Sequence, residues 1–260
     1  MSTLPQVSVI MPTFEQCHFI RRALDSLMAT VIPGLSTARP CHVLDVDLPK
    51  KDWFDQAPGL LLSSVDGQVH TVVPGRPIGL HPHTLAELAE QGIHVHFYGD
   101  FTHGQWREWI DKSRALAPLH LHLHANVEQA RWVEEFSRYD AGWLHAFDSA
   151  NLGEIRRANW DDLNLARIAT LAAAGLPMIQ RRNAGAIVAI QALVKKLDVG
   201  VFYDSVEELA QLLRQRERMQ ALRARMWNAR SLFTFDQHVP GPVNFFRAVI
   251  ASASRSRSAA

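Results

Sequence analysis

The chain is 260 residues long, 47% hydrophobic and 20% charged, with a formal net charge of +1. That length buries one large core or two small ones, and the near-neutral balance excludes a long-range field for nucleic acid and an acidic solvating tail. Cys17 and Cys41 have no metal or redox spacing. Residues 1–6 lack a basic then apolar leader, and every apolar run breaks before the roughly 20 residues of a membrane helix, so a cytoplasmic protein that is not transmembrane is expected.

Residues 7–11 are an apolar, β-branched run closed by Pro12. Phe19, Ile20, Ala23, Leu24, Leu27 and Met28 then recur at helical spacing, which predicts a strand, a turn and a helix. Pro33, Pro40, Pro49 and Pro58 punctuate the next stretch, with one short strand candidate at 42–46. Runs 60–65 and 69–73 flank Asp66-Gly67, a pair that supplies the positive φ of a tight turn, and predict a hairpin. From Pro74 the rhythm is regular. Helices are predicted at 84–91, 105–116, 128–139, 162–174, 186–197, 206–215 and 219–229, alternating with strands at 93–97, 119–124, 141–145, 177–180 and 199–203. Such alternation predicts an α/β fold, a doubly wound, Rossmann-like parallel sheet covered on both faces, with a short β-α segment before it. The expected organisation is 1–58 as that segment and an irregular linker, 59–250 as the ligand-binding domain, with a helix at 245–251, and 251–260 as a disordered Ser/Arg/Ala tail.

In an open α/β sheet, ligands bind beyond the carboxyl ends of the strands, so polar residues just after each strand are the candidates. Asp161, Asp162 and Asn164 open a predicted helix that carries Arg167 and Thr170, continues through Ala172-Ala173-Ala174, and stops at Gly175 and Pro177. Capping by short polar residues, close packing through alanines and a glycine stop account for that run structurally. As a whole, though, it resembles the donor domain of the group 1 glycosyltransferases of GT-B fold, where an acidic helix ends in Glu-Ala-x-Ala-x-Gly-x-Pro-Val. The resemblance implies the C-terminal half of a GT-B fold. It places the family's first acid, which meets sugar or ribose hydroxyls, at Asp162 and the second at Thr170, where only a hydroxyl is available. Arg167 falls where related transferases carry a lysine, so its charge is expected near a donor diphosphate or in a capping role.

The same family opens its donor domain with a strand, Gly-Arg, and a following Lys-Gly that grips pyrophosphate. Gly75-Arg76 matches the first pair; His81 and Pro82 stand at the second. An arginine fork suits a diphosphate because its bonds are bidentate and charge-assisted. Between strand 177–180 and helix 186–197, Arg181-Arg182-Asn183-Ala184-Gly185 occupies the family's Gly-Gly turn, so Asn183 and Gly185 are candidate phosphate contacts. Loops 99–104, 145–149 and 151–160 also follow strands. His120, His122 and His124 share one strand face, as do His94 and His96. They are read as structural histidines satisfied by backbone bonds, with no metal site, and Trp106, Trp109, Trp132 and Trp143 as core.

Residues 7–27, with Pro12-Thr13-Phe14-Glu15, resemble the start of a group 2 glycosyltransferase of GT-A fold, and Asp45-Val46-Asp47 has the letters of its metal motif. The resemblances together imply a hexosyltransferase-type glycosyltransferase, or its donor-binding domain. It would use a nucleoside-diphosphate sugar as substrate, need no cofactor, and transfer to an acceptor that includes saccharides among its candidates. A partner would supply the acceptor-binding half, and no catalytic base is assigned. Two readings stay open beside this one: a non-catalytic nucleotide-sugar-binding or assembly domain, and a metal-dependent group 2 fragment.

Overall fold

Val72 and Val73, in the middle of β1 (Val69–Pro74), have no solvent exposure on either side of the strand. Only a central strand of a covered sheet buries both faces in this way. In the computed structural model, which describes residues 48–99, 104, 106–163 and 167–258, β1 pairs in parallel with β2 (Ile93–Tyr98) along its whole length and with β4 (Ala141–Trp143) on its other side. With β3 (Leu121–His124), β5 (Met178–Arg181) and β6 (Gly200–Tyr203) the all-parallel order is β3-β2-β1-β4-β5-β6. This is the doubly wound sheet expected from the alternation.

Two compact units are present. One is 49–234, which holds the sheet; the other combines 1–48 with 235–260, of which helices α10 (Phe235–His238) and α11 (Pro240–Ser258) are described. The group 2-like opening, Asp45, Asp47 and both cysteines lie outside the described residues, as do loop residues 100–103 and Asn164.

The predicted hairpin does not form. Residues Ser63–Asp66 are a helical turn, α1, closed by Gly67 at φ 78°, whose N–H reaches Ser63 O. The positive φ read from Asp66-Gly67 is correct, but it ends a helix instead of joining two strands. β1 already has a parallel partner on each edge, so no edge is left for an antiparallel one.

The other elements lie close to expectation: α2 (Pro82–Glu90), α3 (Trp106–Leu116), α4 (Trp132–Phe136), α7 (Ala189–Leu197), α8 (Val206–Leu213) and α9 (Arg216–Ala229). Leu85, Leu88, Val95, Phe97, Trp143, Ile179, Val201 and Leu209 join one core across the sheet and its helices. Trp143 is fully buried and its indole N–H donates to Thr71 Oγ1 at 2.9 Å, a core role as expected. Among the described residues no helix is long and apolar enough to cross a membrane.

The largest departure falls on the helix predicted at 162–174. It is two pieces, α5 (Trp160–Leu163) and α6 (Ile168–Ala173), with Arg167 between them at φ 68°. An eight-residue spacing therefore does not place Asp162 and Thr170 on one continuous helix face. The end is as read. Leu176 N–H bonds Leu171 O and Gly175 N–H bonds Ala172 O, a Schellman stop with Gly175 at φ 66°. A methyl on Gly142 of β4 would sit 2.3 Å from Leu171 Cδ2, so Leu171 of α6 packs where a side chain on β4 would otherwise stand.

Candidate functional site

β1 and β4 are neighbours whose chains wind outward in opposite directions, to β2 and to β5. The loops after them diverge and leave a crevice, the switch point where open α/β sheets take ligands. A cavity of about 260 Å³ lies there, lined by Gly79, His81 and His83 after β1, Phe147 and Asp148 after β4, Arg181 at the end of β5 and Tyr203 at the end of β6. Gly79 makes the crevice possible. At φ +78° it passes so close to the β4 loop that an added Cβ would lie 2.3 Å from the Ala146 carbonyl carbon, while Ala146 N–H bonds Ile78 O at 3.0 Å.

Three basic side chains from three segments act on one another electrostatically, none of them lining that cavity: Arg76, His145 and Arg167. Arg76, in the β1 turn, is exposed. His145, just past β4, is 7% exposed, with Nδ1 3.9 Å from Asp161 Oδ1. Burial lowers its pKa to about 4, and the positive charges of Arg167 and Arg76 push in the same direction, so the ring is neutral at pH 7. Arg167 is half-buried as a residue, but its Nη1 is sealed from solvent and has no hydrogen-bond partner. Burial, with Arg76 adding repulsion, pulls its pKa down to about 9. A guanidinium with one nitrogen buried and unpartnered, under the repulsion of a second arginine, is a costly arrangement in the free protein, and an anion shared by the two would relieve it.

The remaining residues singled out in the sequence are placed as follows. Asp162 is 1% exposed and forms a reciprocal cap with Asn159: its Oδ2 accepts the Asn159 N–H and its own N–H donates to Asn159 Oδ1, both at 2.9 Å. Burial opposes its ionisation, but Ser149, the Asn159 N–H and Asn151 outweigh that and hold the carboxyl below its ordinary range. Oδ1 is buried with no partner at hydrogen-bond geometry. Thr170 lies half-buried on α6. His81 is the exposed N-cap of α2 on the cavity wall, its ring stacked on His83 at 5.4 Å.

The 181–185 segment is built differently from a phosphate loop at a helix start. α7 begins only at Ala189, so Gly185, at φ 76°, stands in a turn four residues earlier. Asn183 ties two loops together: its Oδ1 accepts the Ser149 N–H at 2.7 Å and its Nδ2 donates to Phe147 O at 3.2 Å. Arg181 pairs with Asp148 at 2.7 Å, and Arg182 pairs with Asp204 and Glu208.

Two organisers carried no clear signal in the sequence. In the sequence His145 stands only within a post-strand loop, and its place at a strand end is the one signal that singles it out. Asn151 was one polar residue among several. It is 1% exposed, donates to Ile187 O at 2.8 Å, and accepts from Ile187 N at 2.9 Å and Gly153 N at 3.1 Å, joining the post-β4 loop to the approach to α7. Asn151→Ala strands three backbone groups at once, so a loss of about 2–4 kcal/mol is expected in urea unfolding. A loss under about 1 kcal/mol would mean that those groups find water instead.

The histidines on β1, β2 and β3 are not satisfied by backbone bonds, as the sequence led one to expect. Their partners are one another, with Asp66 and Gln68 at the β1 side, because the parallel register brings them to one face as diagonal neighbours: His70 Nδ1 lies 3.0 Å from His96 Nε2, His96 Nδ1 2.9 Å from His124 Nε2, and His94 Nδ1 2.9 Å from His122 Nε2. No group of three or more His, Cys, Asp or Glu among the described residues is disposed to hold a metal ion.

A doubly wound parallel sheet with a polar crevice at its switch point is the architecture of one half of a GT-B glycosyltransferase. The family model described as glycosyl transferase-like matches residues 80–241, well over half of the chain, and the chain belongs to that family. Among solved structures, one similar in fold is the crystal structure of AviGT4, a glycosyltransferase involved in avilamycin A biosynthesis. The two are 12% identical with a TM-score of 0.44, over 75% of this chain and 57% of that one, so the chain spans little more than half of that structure's length. No curated protein matches the chain.

Proposed function

We propose that this glycosyltransferase-family chain is a donor-binding domain for a nucleoside-diphosphate sugar, with the diphosphate seated between Arg76 and Arg167. The observation that carries this reading is the buried, unpartnered Nη1 of Arg167 beside a second arginine. His145, neutral there, adds a ring N–H donor without adding repulsion. Asp162, whose buried Oδ1 lacks a partner at full hydrogen-bond geometry although Ser149 and Asn151 lie near the carboxyl, would accept a sugar or ribose hydroxyl, as the group 1 resemblance implies for that position, with the Thr170 hydroxyl as a further contact. His81 faces the cavity where the sugar extends, and Asn183 and Gly185 act through the loop that closes its far wall. In such an enzyme the positive groups stabilise the departing diphosphate electrostatically. The acceptor and its general base belong to an acceptor-binding half.

Calorimetric titration with UDP and GDP, with and without manganese, tests the reading. Metal-independent binding is expected, weakened about tenfold in Arg76→Ala, the ordinary effect of losing one exposed charge contact to phosphate. Absence of binding, or binding that requires manganese, would overturn it. A domain that binds without turnover is the second reading, favoured by Thr170 at the second acid's position; a donor-hydrolysis assay separates it from a catalyst.

A further inference from the structure

The imidazoles of β1, β2 and β3 form two chains that run diagonally across one sheet face. In the first, the Asp66 carboxylate accepts from His70 Nε2 at 2.9 Å, which leaves His70 Nδ1 to accept from His96 Nε2–H, and His96 Nδ1 to accept from His124 Nε2–H. In the second, Gln68 Oε1 accepts from His94 Nε2, so His94 Nδ1 accepts from His122 Nε2–H. Each N···N contact holds a single proton, and the polar group on the β1 side fixes its direction. The rings also stack: His96 on His122 at 4.3 Å, His70 on His94 at 4.6 Å, and His94 against His120 at 4.6 Å.

We propose that these two chains are a pH-sensitive latch, which holds the edge strand β3 on β2 while each N···N contact carries one proton and releases β3 on acidification. A second proton in any contact points two N–H groups at each other, and stacked rings put like charges face to face. The latch spans the β2–β3 boundary. β3 is four residues long, half-buried over its last three, and among the described residues no strand pairs with its outer edge, so β2 is the strand that holds it in the sheet.

The surroundings set the response. Asp66 from α1 faces His70, and its carboxyl is held below the usual range by the Gln68 N–H and by His70. Tyr98 of β2 stacks on His124 at 4.5 Å, and its hydroxyl bonds Glu135 and Tyr139. Glu135 favours charge on His124, while burial first and Arg138 after it oppose charge. Asp140 accepts the His70 backbone N–H at 2.8 Å. Burial and neighbouring histidines hold the folded pKa of His94 near 4 and of His96 near 2, and lower that of His122. An unfolded or opened strand takes up protons near 6.5. The stability present above that pH is therefore lost progressively as pH falls below it.

Site-resolved hydrogen exchange of the full chain between pH 7.5 and 5.5, corrected for intrinsic rates, tests the latch. Protection of the His122–His124 amides, relative to those of Gly200–Tyr203, is expected to fall by about tenfold or more per pH unit below pH 6.5, one proton's linkage. In the double variant His122→Gln with His124→Gln the ratio is expected to become flat, because an amide turns its oxygen to meet a protonated ring. Should the double variant not fold, His122→Gln alone cuts one chain and is expected to reduce the slope to about half. A flat ratio in the parent chain, or a parent-like slope in either variant, overturns the proposal.

Discussion

Arg167→Met is expected to lose most of the affinity for UDP or GDP while leaving the fold as stable as the parent or more so. The two effects have one cause. In the free protein the Nη1 of the guanidinium is out of solvent and has no partner, and the charged neighbour that acts on it is the like-charged Arg76. Removing an uncompensated buried charge relieves a desolvation penalty, and a methionine of similar length keeps the packing of the stem. In the complex the same charge would meet the diphosphate in a dry setting. Truncating one partner of such a pair costs about 2–5 kcal/mol, roughly 30-fold to several thousandfold in Kd. Arg167→Lys keeps the charge but not the fork and is expected between the two. Arg167→Gly loses the same affinity, and relief of the backbone at φ 68°, about 1–2 kcal/mol, offsets part of what the lost stem packing and the freer unfolded chain cost. Titration calorimetry and urea unfolding read both halves. Destabilisation by more than about 2 kcal/mol with affinity intact would make Arg167 a structural residue and remove the main support for the proposed diphosphate seat.

The sheet was legible because its evidence is local. Short β-branched runs, amphipathic helices and stops such as Gly175 each carry their own signal. β1 was misjudged as half of a hairpin because Asp66-Gly67 reports a positive φ and not what lies on either side of it. The break at Arg167 had no warning: no glycine or proline marks it, and the Ala-rich spacing reads as one helix through it. The imidazole chains depended on register. Alternation placed His94 with His96 and His120 with His122 and His124 on one face each, but their cross-strand contacts, and the place of His70, follow only from the pairing of β1 with β2 and β2 with β3. The same holds for Asn151 and Asn183, whose bonds to Ile187 and to Phe147 each join positions 36 residues apart.

Gly79→Ala is expected to cost about 2–5 kcal/mol and to abolish nucleotide binding in whatever fraction stays folded. Two penalties combine. A side chain at φ +78° costs about 1–2 kcal/mol in backbone strain. The new Cβ, 2.3 Å from the Ala146 carbonyl carbon and 2.5 Å from both Ala146 O and Phe147 N, meets backbone on the opposite wall, which has no rotamer to give way, and overpacking of that kind costs about 1–3 kcal/mol. Together they take a large share of the roughly 5–15 kcal/mol that holds a domain folded. Function suffers beyond stability, because Gly79 lies three residues after Arg76 in a turn closed by Ile78 N–H to Arg76 O and Leu80 N–H to Pro77 O. Prising the two loops apart also breaks the Ala146 N–H to Ile78 O bond that fixes the crevice between β1 and β4. Gly75→Ala separates strain from contact: Gly75 has φ +96° but open space around its missing Cβ, so it is expected to cost only the strain. Equal losses in the two variants would mean that the close approach of the loops contributes nothing. A Gly79 variant clearly less stable than the Gly75 variant, with UDP binding gone, would identify that approach as what holds the crevice in shape.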